Sequence, residues 1–409
     1  MADETPLRAK ISLPADFRID EVKQIVGAPP TPTPPLGVLE NFTGEFSGTG
    51  FNTIFRPNGA APTTTTFTNP IPPPPLLTAP NENVLELNLT TETLTFSTPL
   101  GSVPNRGLGM PVAANGNAQE DIFLNGVPYV QAISDVTNPA TGKGDGKAQG
   151  IHFEPGIWLN VPATTSVPNL ANSLVRMASI PHGTTINAQG LAPTTVINGP
   201  PTIPSVSITP FIIGSSPPHL ITFASQTAAN KDTPRIPQDL TNFIASGEIS
   251  QAILTDPNTV LRNAIAGQTI TKTIVFSVST APPPPEFGGG TANIAFLEGN
   301  AAATSANANT VRMNATFWIE TVEHLIPIPI FRPGQGALKI PAKPGTNGPV
   351  FTGTPPREIP TPITIRVFST QIQYSQVVFL NFAGLTWPHV SVATLSQAGE
   401  VSIPITAWP

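Results

Sequence analysis

The residues whose types could do chemistry in this 409-residue chain include five histidines, at 152, 182, 219, 324 and 389, and no cysteine. Disulfides, thiolate metal sites and cysteine nucleophiles are therefore excluded. No histidine falls in a His-Glu-x-x-His or comparable spacing, so a zinc centre is not indicated. The chain also lacks a Gly-x-Ser-x-Gly elbow and a phosphate-cradling glycine loop; Gly288-Gly289-Gly290 follows a proline run and is turn chemistry. His152 and Glu154 are the most suggestive pair. Two apart on a strand, they leave the same face, and a carboxylate there can fix an imidazole tautomer, as beside metal ligands or in a general base. A solvated rim ion pair is the plain alternative. Trp158 shares that face, and Tyr129, one of two tyrosines, lies on the stretch before it. Both suit a barrel wall, with ligand contact as the functional alternative.

His389 stands at the head of a closing strand. In Ile363–Leu395, the longest run of β-branched and aromatic residues, Asn381 to Gly384 breaks the pattern as a turn does. Beyond it Val390, Val392 and Thr394 alternate with His389, Ser391, Ala393 and Leu395. Two roles are open to His389: a packed core histidine, or the ligand of something held inside a barrel. His182, between Pro181 and Gly183, reads as a turn residue, and His219, after Pro217-Pro218, as loop. Glu320, Val322 and His324 share a strand face but lack the third partner a site needs.

The elements that must position these residues follow from composition. Charged residues are 11% of the chain, against about 25% in ordinary soluble domains, and there are 51 prolines. Helices do not tolerate that proline density, whereas loops, turns and edge strands do. The apolar 39% still suffices for a core. Net charge is −6 and no two cations are adjacent, so a phosphate-tracking surface is not expected and nucleic acid is not a partner. The first residues are polar, without the apolar core of a signal peptide, and no apolar run approaches the ~18 residues of a membrane span. A cytoplasmic location without a membrane span is the expectation. A surface so poor in charge repels its own copies weakly, which favours a homo-oligomer.

Taken in order, residues 1–40 read as a proline-rich arm, 41–190 as the first part of a β-barrel, 191–360 as an inserted loop-rich β region with little helix, and 361–409 as closing strands and tail. Glycines 44, 48 and 50 in the first strand suggest bulges or close backbone approach. In Val84–Ser97, Leu85, Leu87 and Leu89 share one phase while Leu94 and Phe96 share the other, so a bulge or tight hairpin is expected near Thr91. Asn125-Gly126, between two apolar runs, predicts a type I′ hairpin. Strands are expected at Leu174–Ile180, Thr184–Gln189, Ile270–Ser279, Asn293–Leu297 and Val311–Val322. One helix, Pro257–Ala266, has Asp256 as its cap and Gly267 as its stop, and Leu240–Leu254 can hold another helical piece. The fold class predicted is all-β, an antiparallel barrel with long proline-rich loops.

Several of these stretches resemble the nitrobindin family of lipocalin-like, haem-holding barrels. Gly44-Glu45-Phe46-Ser47-Gly48-Thr49-Gly50 is similar to that family's glycine-spaced first strand, and Asn125-Gly126-Val127-Pro128-Tyr129-Val130-Gln131 to its Gly-x-Pro-aromatic hairpin. His152-Phe153-Glu154-Pro155-Gly156-Ile157-Trp158 resembles its His-x-Glu-x-Gly-aromatic strand, and Pro388-His389-Val390-Ser391-Val392 the closing strand whose histidine ligates iron. The resemblance spans roughly 41–190 and 361–396; 191–360 has no counterpart. It implies a small apolar ligand or haem inside the barrel, with His389 as axial ligand, His152, Glu154, Trp158 and Tyr129 about the cofactor, and peroxide or reactive-nitrogen chemistry. Two other classes fit the residues: a self-assembling structural protein, and a cofactor-free enzyme using His152 and Glu154 as an acid–base pair.

Overall fold

Alternating, turn-bounded runs become strands here, and ten of them close on themselves. The computed structural model describes residues 33–57, 83–105, 121–164, 170–191, 194–283, 288–298, 307–343 and 348–409. Most of the arm and the loop holding Pro72 to Pro75 lie outside the described residues. The barrel strands, in chain order, are β1 (Gly44–Pro57), β2 (Asn83–Phe96), β3 (Ile122–Asp135), β4 (Gln149–Val161), β5 (Ser173–Ile180), β6 (Thr184–Leu191), β7 (Thr269–Ser279), β8 (Asn309–Ile328), β9 (Ile363–Phe382) and β10 (Leu385–Gln397). Each pairs antiparallel with its neighbour in sequence, and β10 returns to β1, with Gly50 opposite Ala393. The result is the closed antiparallel β-barrel expected for an all-β chain. Its weakest seam is β6–β7, paired only at Gln189 and Ser279 and flanked by two short strands, Gly290–Asn293 on β6 and Thr195–Ile197 on β7.

The turn at Ala383-Gly384 joins β9 to β10, with φ of 48° and 77°. It is tighter than the expected Asn381–Gly384 break, so β10 begins four residues before His389. The type I′ hairpin expected at Asn125-Gly126 does not form. Both residues sit inside β3, which pairs with β4 across Asn125–Asn160 and Gly126–Leu159. Gly126 is there for close approach rather than for a positive φ: a Cβ would lie 2.4 Å from the Trp158 carbonyl oxygen. The Asn125 amide is spent on bonding the Pro34 carbonyl. No bulge or hairpin occurs near Thr91 either, because β2 pairs with β1 without interruption. The change of phase has a different cause. Glu86 and Asn88 line the interior, while Leu85, Leu87 and Leu89 face outward and join a hydrophobic cluster with Leu240, Phe243 and Ile253 of the insertion.

The insertion is shorter than the 191–360 expected, because β7 and β8 within that range are barrel strands; residues 194–268 form the barrel's outer coat. It carries three short helices, α1 (Thr241–Ser246), α2 (Gln251–Thr255) and α3 (Asn258–Ala264). Asp256 Oδ1 accepts the Asn258 N–H at 3.1 Å and Gly267 takes φ +78°, but α3 is shorter than expected, with Pro257 rather than Asp256 at its N-cap and Ile265 rather than Gly267 at its C-cap. Arg235 is fully buried and donates to the carbonyls of Ser225, Thr227, Ala228, Asn230, Pro237 and Gln238, which ties the loop before α1 into one knot. The strand expected at Asn293–Leu297 is instead the end of Gly290–Asn293 followed by a helical turn, Ala295–Glu298.

Strands β8 and β9, 20 residues each, run past the barrel to a second small core around Ile326, Phe351, Val367 and Trp408, covered by three short strands, Leu338–Pro341, Val350–Gly353 and Glu400–Ser402. At the same end of the barrel, where Ala398 N–H donates to the Glu45 carbonyl, the turn Gly37–Asn41 acts as a plug. Phe42 stacks on Phe96 at 4.5 Å and meets Trp158 edge-on at 5.6 Å. Among the described residues no helix is long and apolar enough to cross a membrane.

Candidate functional site

The barrel interior is filled in tiers. Above the plug, Trp158, Phe276 and Phe317 pack together, with Phe276 and Phe317 stacked at 5.4 Å and Trp158 edge-on to both. On this aromatic floor sits a buried ionic cluster, and above the cluster a cavity of about 560 Å³ opens toward the end of the barrel away from the plug.

Glu154 on β4 is the centre of the cluster. Its Oε1 accepts from Arg176 Nη2 of β5 at 2.6 Å and from the Tyr129 hydroxyl of β3, while its Oε2 faces His152 Nε2 at 3.2 Å. Arg176 also donates from Nε to the Tyr129 oxygen at 2.8 Å and from Nη1 to Gln376 Oε1 at 2.7 Å, and its guanidinium lies 5.6 Å from the Phe317 ring centroid. Burial alone would raise the Glu154 carboxyl, but Arg176, with His152 and Tyr129, outweighs it and holds the group down to about 2. Glu154 is therefore a carboxylate. Burial, in turn, lifts the Tyr129 hydroxyl well above its ordinary range, so that hydroxyl stays a donor.

An ionised Glu154 requires a proton on His152 Nε2, which in the neutral ring leaves the lone pair on Nδ1. The ring lines the cavity, 5.7 Å from the ring of His182. Burial and the neighbouring His152 both lower the His182 pKa.

A second buried carboxyl is Glu92 on β2. It accepts from the Tyr374 hydroxyl at 2.6 Å, from Gln131 Nε2 at 3.2 Å and from Thr90 Oγ1 at 3.0 Å. Burial raises its pKa despite these donors. Gly50 on β1 makes room for it, because a Cβ there would sit 2.6 Å from Glu92 Oε1. The close backbone approach that the glycine spacing suggested thus serves a buried acid.

The facing wall comes from β1, β2 and β10. Asn52 Nδ2 donates to His389 Nε2 at 2.9 Å and to Ser391 Oγ at 2.7 Å, and Asn52 Oδ1 accepts from Asn88 at 3.5 Å. His389 Nε2 must then be an acceptor. Burial, followed by His182 and His152, pushes its pKa down to about 3, so the ring is neutral at ordinary pH. Isoleucines 54, 133, 151 and 180, with Val378 and Leu380, supply the apolar part of the lining, and the Arg56–Glu86 ion pair at 2.9 Å stands among the lining residues.

Of the residues picked out from sequence, His152 and His389 line this cavity, Glu154 and Tyr129 lie in the cluster beneath it, and Trp158, 1% exposed, belongs to the aromatic floor. His219 and His324 do not line it, and His324 instead meets Ser369 Oγ at 2.8 Å near the second core. His182, in the turn between β5 and β6 as its flanking Pro181 and Gly183 predict, also lines the cavity. Arg176, Glu92, Tyr374, Gln131, Gln376 and Asn52 were not foreseen. A signal existed for two of them. Arg176 shares a phase with Leu174 and Ala178, and Glu92 with Leu94 and Phe96; a charge on an apolar face is costly unless it is paired. Among the described residues no group of three or more histidine, aspartate or glutamate side chains could hold a metal ion.

No protein-family model matches the chain, and no curated protein matches it. Among solved structures, the crystal structure of Rv2717c from M. tuberculosis matches at 8% identity, over 88% of this chain and 95% of that one, with a TM-score of 0.29. A likeness that loose carries no argument about this chain's fold or function.

Proposed function

We propose that the protein binds a small molecule in the upper barrel cavity, with an apolar body against the isoleucines and a hydrogen-bonding group against the amides and imidazoles. The observation that carries this reading is the cavity itself, about 560 Å³ and closed below by a fully bonded ionic cluster. Enclosed, mostly apolar space with a few convergent polar groups is the usual form of a ligand site. Mass spectrometry of whatever co-purifies, with binding of the apolar probe 8-anilinonaphthalene-1-sulfonate, tests it. Ser391→Trp, which fills the cavity, is expected to abolish probe binding; undiminished binding by that variant would sink the reading.

Haem is the occupant named by the sequence resemblance, with His389 as axial ligand. The neutral ring has the right charge state for iron. Its Nε2 lone pair, however, is committed to Asn52, so the donor set as it stands does not fit. Haem binding requires Asn52 to turn away. Added haemin should then give a Soret band that Asn52→Ala strengthens and His389→Ala removes. No band in Asn52→Ala disposes of haem.

Self-assembly has one observation of its own. Leu325, 66% exposed, and Phe368, 43% exposed, share the open face of the β8–β9 extension. Sedimentation that depends on concentration in the wild type and not in Leu325→Lys would support it.

A further inference from the structure

We propose that His152 is the general base of an enzymatic site inside this barrel, acting on a small enolisable carbonyl compound, with Glu154 as its positioning residue. The inference rests on the cavity being a ligand site. Glu154 Oε2 faces Nε2 of the ring at 3.2 Å, and Arg176 holds the other carboxylate oxygen at 2.6 Å. The ring is thus fixed in orientation, with Nδ1 as its lone-pair atom. No hydrogen bond to Nδ1 is found among the described residues, and the ring lines the cavity. This is the carboxylate–imidazole arrangement in which the acid orients the base and stabilises the imidazolium once a proton has been taken.

The same guanidinium prepares a partner for the other end of the reaction. Arg176 Nη1 donates to Gln376 Oε1 at 2.7 Å, which fixes that amide. Gln376 lines the cavity, and its Nε2 has no protein acceptor among the described residues. A fixed amide donor facing the same cavity as the base is what an enolate oxygen requires.

Nucleophilic catalysis is not served by the same geometry. The cavity's serine, Ser391, lies 3.4 Å from His389 rather than from His152, and the His389 nitrogen on that side already accepts from Asn52. Proton transfer is what remains. His152 Nδ1 takes a proton from the carbon next to the carbonyl, and the C–H electron pair moves into the carbon–oxygen system, giving an enolate held by Gln376. The imidazolium then returns the proton to a different atom. The net change is an isomerisation, with no oxidant and no second reactant.

The test uses 5-nitrobenzisoxazole with the full-length protein. A general base removes its C–H proton, the ring N–O bond breaks, a nitrile forms and a coloured phenolate leaves. Saturation-transfer NMR measures binding of the same probe separately. The expected result is saturable turnover at least about 100-fold above buffer, lost in His152→Gln, which keeps the Glu154–Arg176 pair. In Glu154→Gln, kcat should fall while KM is little changed, with partial recovery in Glu154→Asp; a purely structural role would not split the two constants. Binding without turnover, or turnover that His152→Gln retains, overturns the base and leaves the ligand reading standing. Absence of binding overturns both.

Discussion

At the scale of single residues, the ionic cluster beneath the cavity decides how the site tolerates change. Arg176 is 3% exposed and satisfies Glu154, Tyr129 and Gln376 at once. Removing one member of a buried pair leaves an uncompensated charge, whereas removing both is far milder. Arg176→Met should therefore cost about 3–5 kcal/mol in urea unfolding. The double variant Arg176→Met/Glu154→Gln should recover most of that loss, and equal losses in the single and double variants would contradict this account. The pair was half legible in the sequence. His152 and Glu154 are neighbours on one strand and their shared face follows from period two, but Arg176 is 22 positions from Glu154 and meets it only through the β4–β5 register.

At the scale of elements, two local features yield predictions. Ala383 takes φ +48° in the β9–β10 turn, a conformation that costs an ordinary L-residue about 1 kcal/mol or more. Ala383→Asn places Asn before Gly384, the pair that such a turn favours, and should raise stability by about 0.5–1 kcal/mol. The midpoint of thermal unfolding measures it. The second feature lies where β8 and β9 face the segment after α3. Glu320 is 1% exposed; its Oε2 accepts from Gln371 at 2.6 Å, and its Oε1 has no partner. Burial raises its pKa from 4.5 to about 7. The folded state thus binds the proton more tightly than the unfolded state. The contribution is full below about pH 4.5 and is lost as pH rises through about 7, on the order of 3 kcal/mol in all. Glu320→Gln should flatten stability between pH 5 and 8 and make the protein more stable than wild type at pH 8. An unchanged slope would place the titration elsewhere.

At the scale of the whole molecule, the two ends of the barrel have different jobs. One end is stopped by the Gly37–Asn41 turn, with Phe42 1% exposed among aromatic rings; the other opens onto the cavity. Phe42→Ala should cost about 3–5 kcal/mol, as other large-to-small core changes do. It should leave binding of a cavity probe unaltered in protein that remains folded. Loss of binding in a folded variant would mean that the two ends are coupled. The insertion of residues 194–268 has a comparable part in the architecture. It covers the outside of β1, β2 and β10, which is why Phe51, Leu87 and Val392 are buried on a face that an isolated barrel would show to water.

By itself the sequence determined the class of the protein and much of its local grammar. Proline density and alternation require strands, the absence of cysteine excludes thiol chemistry, and the Asp256-to-Gly267 stretch brackets α3. It also brought forward His152, Glu154 and His389, because histidines are few. The tertiary structure decided which face of each strand is inside, since alternation defines two faces without ranking them. The polar face of β2 proved to be the interior because the insertion covers the apolar one. It also decided the partners. Glu92 meets Tyr374 across 282 positions, and Arg176 meets Gln376 across 200. Contacts that distant exist only once a closed sheet has set the register of all ten strands.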